Sequence, residues 1–318
     1  MTEINEAITS AGNNGHVFFP NGNYEVAGLT ASFVGQTWEF ARDAKLKKAN
    51  GNTAAMIALA ASGLKILGGD FDCNRSGAPA ATVFVDGTDK DFKMVGATVH
   101  GGSSWGVAID NGLVLLRDCR FYNMAFAALI WRATTRDGEG NLRFGPIIEN
   151  CMIDRRVGYV SAAGLQMRAV GAAGYFQGAM ARGNIILMPA TGEATSDNVA
   201  LEMTEAVNSS MVDNIVTGSR IAYSLGKAIR CSATGNRANA VGNYGIEIAQ
   251  GCEDCVVSGN VVSGLSLTTP GIGGCVITGA SKGNVVVGNR LGREFPVPVY
   301  QDSSSASASP ANLIANNL

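Results

Sequence analysis

Hydrophobic and polar residues alternate along this chain in short runs, and the runs come back. The stretch VVSGNVVSG (256–264) returns as VVVGNRLGR from Val285 and as MVDNIVTGS from Met211. Each has an apolar run, a small or polar pair, an asparagine, and an apolar residue two places further on. Alternation with a period of two is the mark of strands with one buried face. With the asparagine as an anchor, the pattern of anchor, any residue, apolar residue occurs at Gly69-Asp-Phe71, Ala97-Thr-Val99, Cys119-Arg-Phe121, Cys151-Met-Ile153 and Asn184-Ile-Ile186. It continues at Asn214, Asn236, Asn260, Asn289 and Asn316-Asn-Leu318. Successive anchors lie 22 to 33 residues apart. Such a period, lengthened irregularly, predicts a solenoid whose extra residues are loops.

A strand–helix–strand unit needs about 30 residues or more, so the 22-residue steps leave no room for a helix between parallel strands. After each anchor comes a glycine-marked turn and a second alternating run: GVAID (106–110), GLQM (164–167), VALEM (199–203) and GIEIA (245–249). Two or three short strands per turn, joined by tight bends, make a single-stranded parallel β-helix of about ten coils. A leucine-rich repeat also carries Asn or Cys at one fixed place, but leucine is not dominant here and the post-anchor segments alternate like strands. The anchor asparagines read as structural. Asparagine tolerates left-handed backbone at a turn, and amides stacked one rung apart can hydrogen-bond in a ladder. Cys119 and Cys151 fill the same slot as small buried residues.

The stretch EAITSAGNNGHVFFPNGNYEV (6–26) adds a direction. A short helix over 2–12, with Ile4, Ala7, Ile8 and Ala11 on one face, runs into the strand HVFFP and the turn NGNY. This resembles the start of pectate-lyase-like right-handed β-helices, in which the helix plugs the open end of the core, and phage tailspikes and tail-associated polysaccharide depolymerases above all. The resemblance implies an all-β right-handed β-helix over 1–318 as one domain, a bacterial surface polysaccharide as partner, a virion-tail or extracellular location, and a homotrimer. No catalytic motif of the family matches residue by residue. A small-residue tract (302–310) precedes the last coil. A bare final rung would expose strand edge and core, so a fragment or a covering subunit is expected there.

Composition narrows the alternatives. At 46% hydrophobic, the 318 residues can build a substantial core. Forty-one glycines against eight prolines favour tight turns. A formal charge of −2 without blocks of like charge does not recommend nucleic acid. No apolar run is long enough for a membrane span, and MTEINEAITSAG lacks the features of a signal peptide. Seven scattered cysteines read as small reduced core residues.

Face assignment supplies the candidate chemistry. In GIEIA, Glu247 points outward; in VALEM, Glu202 does; in GLQM, Gln166 does. With Ile221 and Tyr223 inward in RIAYS, one outer column reads Gln166, Glu202, Ala222, Glu247. Two rungs separate Glu202 from Glu247, about 9–10 Å of backbone. Carboxyl groups roughly 6.5–9.5 Å apart suit inverting glycoside hydrolysis, whereas by chance any β-helix surface aligns some carboxylates. Glu205 and Asp154 are substitutes for the pair. The three consecutive long steps put extra loops on neighbouring rungs, where they can wall a cleft. Trp131, Arg132, Arg168 and Tyr175 are candidate substrate-binding residues alongside Gln166. Trp faces stack on sugars and arginines pair with acidic ones, though Trp131 equally ends an inward run, and Trp38 and Trp105 read as core. Cys252-Glu-Asp-Cys255 has no second pair, His16 and His100 form no cluster in the repeat, and Asp70 and Asp72, which could bind Ca²⁺ only with several further oxygens, read as turn and surface residues. No metal or cofactor is expected for hydrolysis. A polysaccharide lyase, often Ca²⁺-dependent, is the runner-up, and a non-enzymatic glycan-binding β-helix comes third.

Overall fold

The alternating runs become strands that pair, in parallel, with the strand one coil later. The structure, a computed structural model, describes residues 2–77, 83–157, 163–189, 198–265 and 273–318. Among the described residues three long sheets run the length of the molecule. The first has twelve strands, from His16–Phe19 to Leu313–Ala315. The second and third have eleven each, from Gly22–Val26 to Arg290–Leu291 and from Leu29–Ala31 to Val297–Gln301. The chain visits the three in turn and winds a right-handed parallel β-helix. Two coils precede the first anchor, because Gly22–Val26 and Ala44–Lys48 occupy the second sheet without an asparagine to announce them. A small sheet of three two-residue strands, Arg143–Phe144, Phe176–Gln177 and Ala206–Val207, rises from the long loops.

Period-two alternation is visible in the packing. In the first sheet the inward file reads Val17, Trp38, Ile66, Met94, Leu116, Ile148, Ala181, Met211, Ala233, Val257, Val286, one residue per coil and all buried. The apolar residue two places after each anchor supplies the inward file of the second sheet, from Phe71 through Leu291.

The anchors form the amide ladder. Asn184 Nδ2 donates to Asn214 Oδ1 at 2.9 Å, Asn214 to Asn236 at 2.9 Å, Asn236 to Asn260 at 3.0 Å and Asn260 to Asn289 at 2.8 Å. Each acceptor oxygen also takes the backbone N–H of the previous anchor. Two details differ from expectation. The left-handed residue is the one before the anchor, as in Asp213 (φ 53°), Gly235 (φ 68°) and Gly259 (φ 64°). By the same rule Asn316 (φ 52°) is the corner, and Asn317 is the rung that accepts from Asn289 at 2.9 Å. The asparagines are thus chosen for their buried amides, which satisfy backbone groups at a corner that water does not reach.

Helix α1 (Thr2–Ala11) lies over the N-terminal end of the core. Ile8 is buried and Ile4 and Ala11 pack against the core, whereas Ala7 is exposed, so the apolar face is narrower than expected. Gln36 ties the helix end down by donating to Ile8 O and Gly12 O, and its own oxygen accepts from Trp38 Nε1. All seven cysteines are free and buried.

Candidate functional site

The third sheet carries an open groove of about 590 Å³ on its outer face. It forms where the strands Leu165–Ala169, Val199–Thr204, Ile221–Gly226 and Tyr244–Ala249 lie side by side. Along these strands Leu165, Leu201, Tyr223 and Ile246 form one inward file, and Met167, Met203, Leu225 and Ile248 the next. Between them an outward file reads Gln166, Glu202, Ser224, Glu247, each residue the direct partner of the next.

Ser224, not Ala222, therefore stands between the two glutamates. Ala222 is fully buried in the core next to Tyr223. Strict alternation fails there because the strand starts at a corner. Its first residue, Ile221, joins Val199, Ala163 and Tyr244 in an apolar ledge outside the main core, and two consecutive residues then turn inward.

Each carboxylate is held by its neighbours. Gln166 Nε2 donates to Glu202 Oε2 at 2.8 Å and Thr204 Oγ1 to Glu202 Oε1 at 2.9 Å. Ser224 Oγ donates to Glu247 Oε2 at 2.7 Å. With two strand spacings between them, the glutamate backbones are about 9–10 Å apart, and both side chains line the groove. Arg168 lines it as well, two residues along the strand from Gln166, with its Nε buried and without a hydrogen-bond partner among the described residues. The opposite edge is apolar: Trp105 and Phe126, ring centroids 6.1 Å apart, face the ledge of Val199, Ile221 and Tyr244.

The remaining candidates lie elsewhere. Trp131 is fully buried: it falls on an inward position, its Nε1 donates to Gly112 O at 2.7 Å, and its ring meets Phe176 edge-on at 5.0 Å. It cannot stack on a sugar without leaving the core, and Trp105, expected inside, is the tryptophan that borders the groove. Trp38 is core as expected. Arg132 is outward but engaged, donating to both oxygens of Asp110 at 2.6 and 3.0 Å. Tyr175 follows a short turn and does not line the groove. Glu205 turns away at a left-handed corner and pairs with Lys227 at 3.1 Å. Asp154 belongs to the second sheet, where the Arg156 guanidinium bonds it at 2.7 Å and holds its carboxyl below the usual range. Neither substitute lines the groove beside Glu202 and Glu247. The long loops do leave from neighbouring coils, and those after Ala133 and Ala169 feed the small sheet. The insertions at 158–162 and 190–197 lie outside the described residues. Among the described residues no group of three or more His, Cys, Asp and Glu is arranged to hold a metal ion, and no helix is long and apolar enough to cross a membrane.

No protein-family model matches the chain, and no curated protein matches it in sequence. Solved structures do match in shape. The A-module of the mannuronan C-5 epimerase AlgE4 of Azotobacter vinelandii superposes with a TM-score of 0.56 at 12% identity, over 99% of this chain and 95% of the other. The likeness is one of fold. ORF18 of Geobacillus virus E2 gives a TM-score of 0.55 at 11% identity, over 83% of this chain and 54% of the viral one. The Streptococcus pneumoniae surface protein and adhesin PfbA gives 0.53 at 14% identity, over 99% and 96%.

One cluster escaped the sequence. His100 sits against Asp70 and Asp72 on the second sheet. His100 lies 28 and 30 residues after the two carboxylates, one coil, so only the register of Asp72 opposite His100 unites them.

Proposed function

We propose that the third-sheet groove binds a bacterial surface polysaccharide and hydrolyses it, with Glu202 and Glu247 as the acid/base pair. The observation that carries this is the register Glu202–Ser224–Glu247 in one open groove. The small Ser224 stands between two glutamates whose backbones lie about 9–10 Å apart, a spacing from which the side chains can reach the roughly 6.5–9.5 Å carboxyl separation that inversion uses. One carboxyl protonates the leaving oxygen and the other activates a water on the far face of the sugar ring. Gln166, Thr204 and Ser224 orient the two groups. Trp105 and Phe126 offer ring faces to the apolar side of a sugar, and Arg168 offers a charged donor to a ring substituent or carboxylate. The reading agrees with a fold shared by a mannuronan-modifying enzyme and a phage protein, and it implies work outside the cell or on a virion.

Incubation with a panel of capsular and O-antigen polysaccharides, followed by sizing of the products and assay of new reducing ends, tests it. Glu202→Gln and Glu247→Gln should each slow cleavage by about 10²–10⁴-fold and leave polysaccharide binding intact. Products with ultraviolet-absorbing unsaturated ends would replace hydrolysis by elimination. Binding without cleavage by the unaltered protein would make the groove a recognition surface, a role in keeping with the adhesin that shares the fold.

A further inference from the structure

The outer face of the second sheet holds a separate depression of about 380 Å³ near the N-terminal end. Two outward files meet there. One reads Asn23, Lys45, Asp70, and the other Glu25, Lys47, Asp72, His100. The imidazole is set by its surroundings: it stacks on Tyr122 with ring centroids 4.7 Å apart and planes 10° from parallel, and Arg120 lies over the far ring at 5.1 Å. Its Nε2 lies 3.1 Å from Asp70 Oδ1 and its Nδ1 3.8 Å from Asp72 Oδ1. Asp70 Oδ1 is buried, yet among the described residues it accepts no well-aligned hydrogen bond. Lys45 Nζ stands 3.9 Å from the other oxygen of Asp70. The 3.1 Å contact is of hydrogen-bond length but misaligned, and those at 3.8 and 3.9 Å are longer than bonded pairs, so Asp70 and Lys45 keep hydrogen-bonding capacity for a further partner.

The lining selects a class of ligand. Carboxylates only accept hydrogen bonds and ammonium groups only donate them, whereas a hydroxyl does both. A simple anion placed here would face Glu25, Asp70 and Asp72, and a simple cation would face Lys45 and Lys47. The two nitrogens of His100 address different carboxylates, so nothing converges on a single point as ligands to a metal would. A polyol, with donors and acceptors on adjacent carbons, satisfies both kinds of group at once. We propose that this depression is a second saccharide site, which takes one neutral sugar residue through its hydroxyls on a different face from the groove. The proposal stands whether or not the groove cleaves anything.

The chain has only two histidines, His16 and His100, which makes the site visible. His16, paired with Glu39 at 3.0 Å on the first sheet, is the internal control. Protein carrying ¹⁵N-labelled histidine is titrated with the methyl glycosides of glucose, galactose, mannose, rhamnose and N-acetylglucosamine, and separately with sodium acetate and calcium chloride. At least one glycoside should shift the His100 resonances saturably at millimolar concentrations and leave His16 unmoved. Asp72→Asn and Lys47→Met should each weaken that response about tenfold, the loss of one charged hydrogen bond. Glu202→Gln should not change it. The proposal is overturned if no glycoside gives a saturating shift at His100, if acetate or calcium produces the same shift, or if Glu202→Gln abolishes the response. Loss of the His16 signal pattern identifies a misfolded variant, and the remaining substitution then decides.

Discussion

The two ends of this β-helix fill the same cross-section with different chemistry. Toward the N-terminus the core is built of rings: Phe19 stacks on Phe40 at 4.2 Å, Phe40 meets Phe71 at 5.0 Å and Phe71 meets Phe84 at 4.8 Å, with Trp38, Phe121 and Trp131 buried nearby. Toward the C-terminus the inward residues of the first two sheets shrink to Ala233, Ala238, Val257 and Val262, and the corner carries the amide ladder. Gly69 explains why the two solutions exclude each other. It occupies the anchor slot in its coil, and a Cβ there would lie 2.8 Å from the Phe71 ring and 3.0 Å from Phe40. At Gly69 the two rings leave no volume for an amide. Where the core is small, the amide both fills the corner and satisfies its backbone.

The largest expected effect lies in the aromatic half. Phe71→Ala removes a fully buried ring that touches two others and should cost about 3–5 kcal/mol. Because coils of a solenoid interact mainly with their neighbours, the loss should appear in hydrogen exchange as opening of the coils around residues 40–100. The ladder coils should keep their protection. Uniform loss along the whole chain would mean that the halves are not energetically distinct.

A smaller effect is expected from the ladder. Asn236 Oδ1 accepts from both the backbone N–H and the Nδ2 of Asn214, and Asn236 Nδ2 donates to Met211 O. Asn236→Ala leaves those groups buried without partners, at about 1–3 kcal/mol. Exchange should rise at residues 211–217 and 236–241 and leave the aromatic coils alone. A change within error there would show that water replaces the amide, and the ladder would then be filler and not a fastener.

The same contrast decides what could be read beforehand. The ladder half announces itself, since an asparagine at a fixed place before an apolar residue survives any change of loop length. The aromatic half does not: its first two coils, Gly22–Val26 and Ala44–Lys48, have no anchor residue and went uncounted. Alternation assigned Gln166, Glu202 and Glu247 to the outer face, but it misassigned Ala222. A strand that begins at a corner can turn two successive residues inward, and period two carries no information about where the corner is. Trp131 and Trp105 exchanged roles for a related reason. Trp131 shares its inward phase with Leu129 and Ala133, whereas Trp105 precedes its strand and so escapes the alternation. The meeting of His100 with Asp70 and Asp72 depends on coil-to-coil register, which variable loops conceal.

The smallest expected effect concerns the last turn of the ladder half, whose stability titrates. Asp302 caps the short helix α2 (Ser303–Ala306) and accepts from Ser305 N at 2.7 Å, Gly279 N at 2.9 Å and Ser304 Oγ at 3.0 Å. Burial pushes its carboxyl up, but these donors overcome that and hold it down to about 2. A carboxyl depressed in the folded state stabilises fully above its unfolded value of about 4 and loses that contribution as pH falls through its folded value. Acidification from about pH 4 to about 2 should therefore raise exchange at residues 279–281 and 302–307. Asp302→Asn, whose amide oxygen can still accept but does not titrate, should start with slightly weaker protection and show no such step. The amides of the ladder do not themselves titrate, so a step confined to residues 279–281 and 302–307 is the expected result. If the ladder opened together with the last turn, the polar half would be behaving as one cooperative unit, and the contrast with the aromatic half would be one of cooperativity as well as of packing.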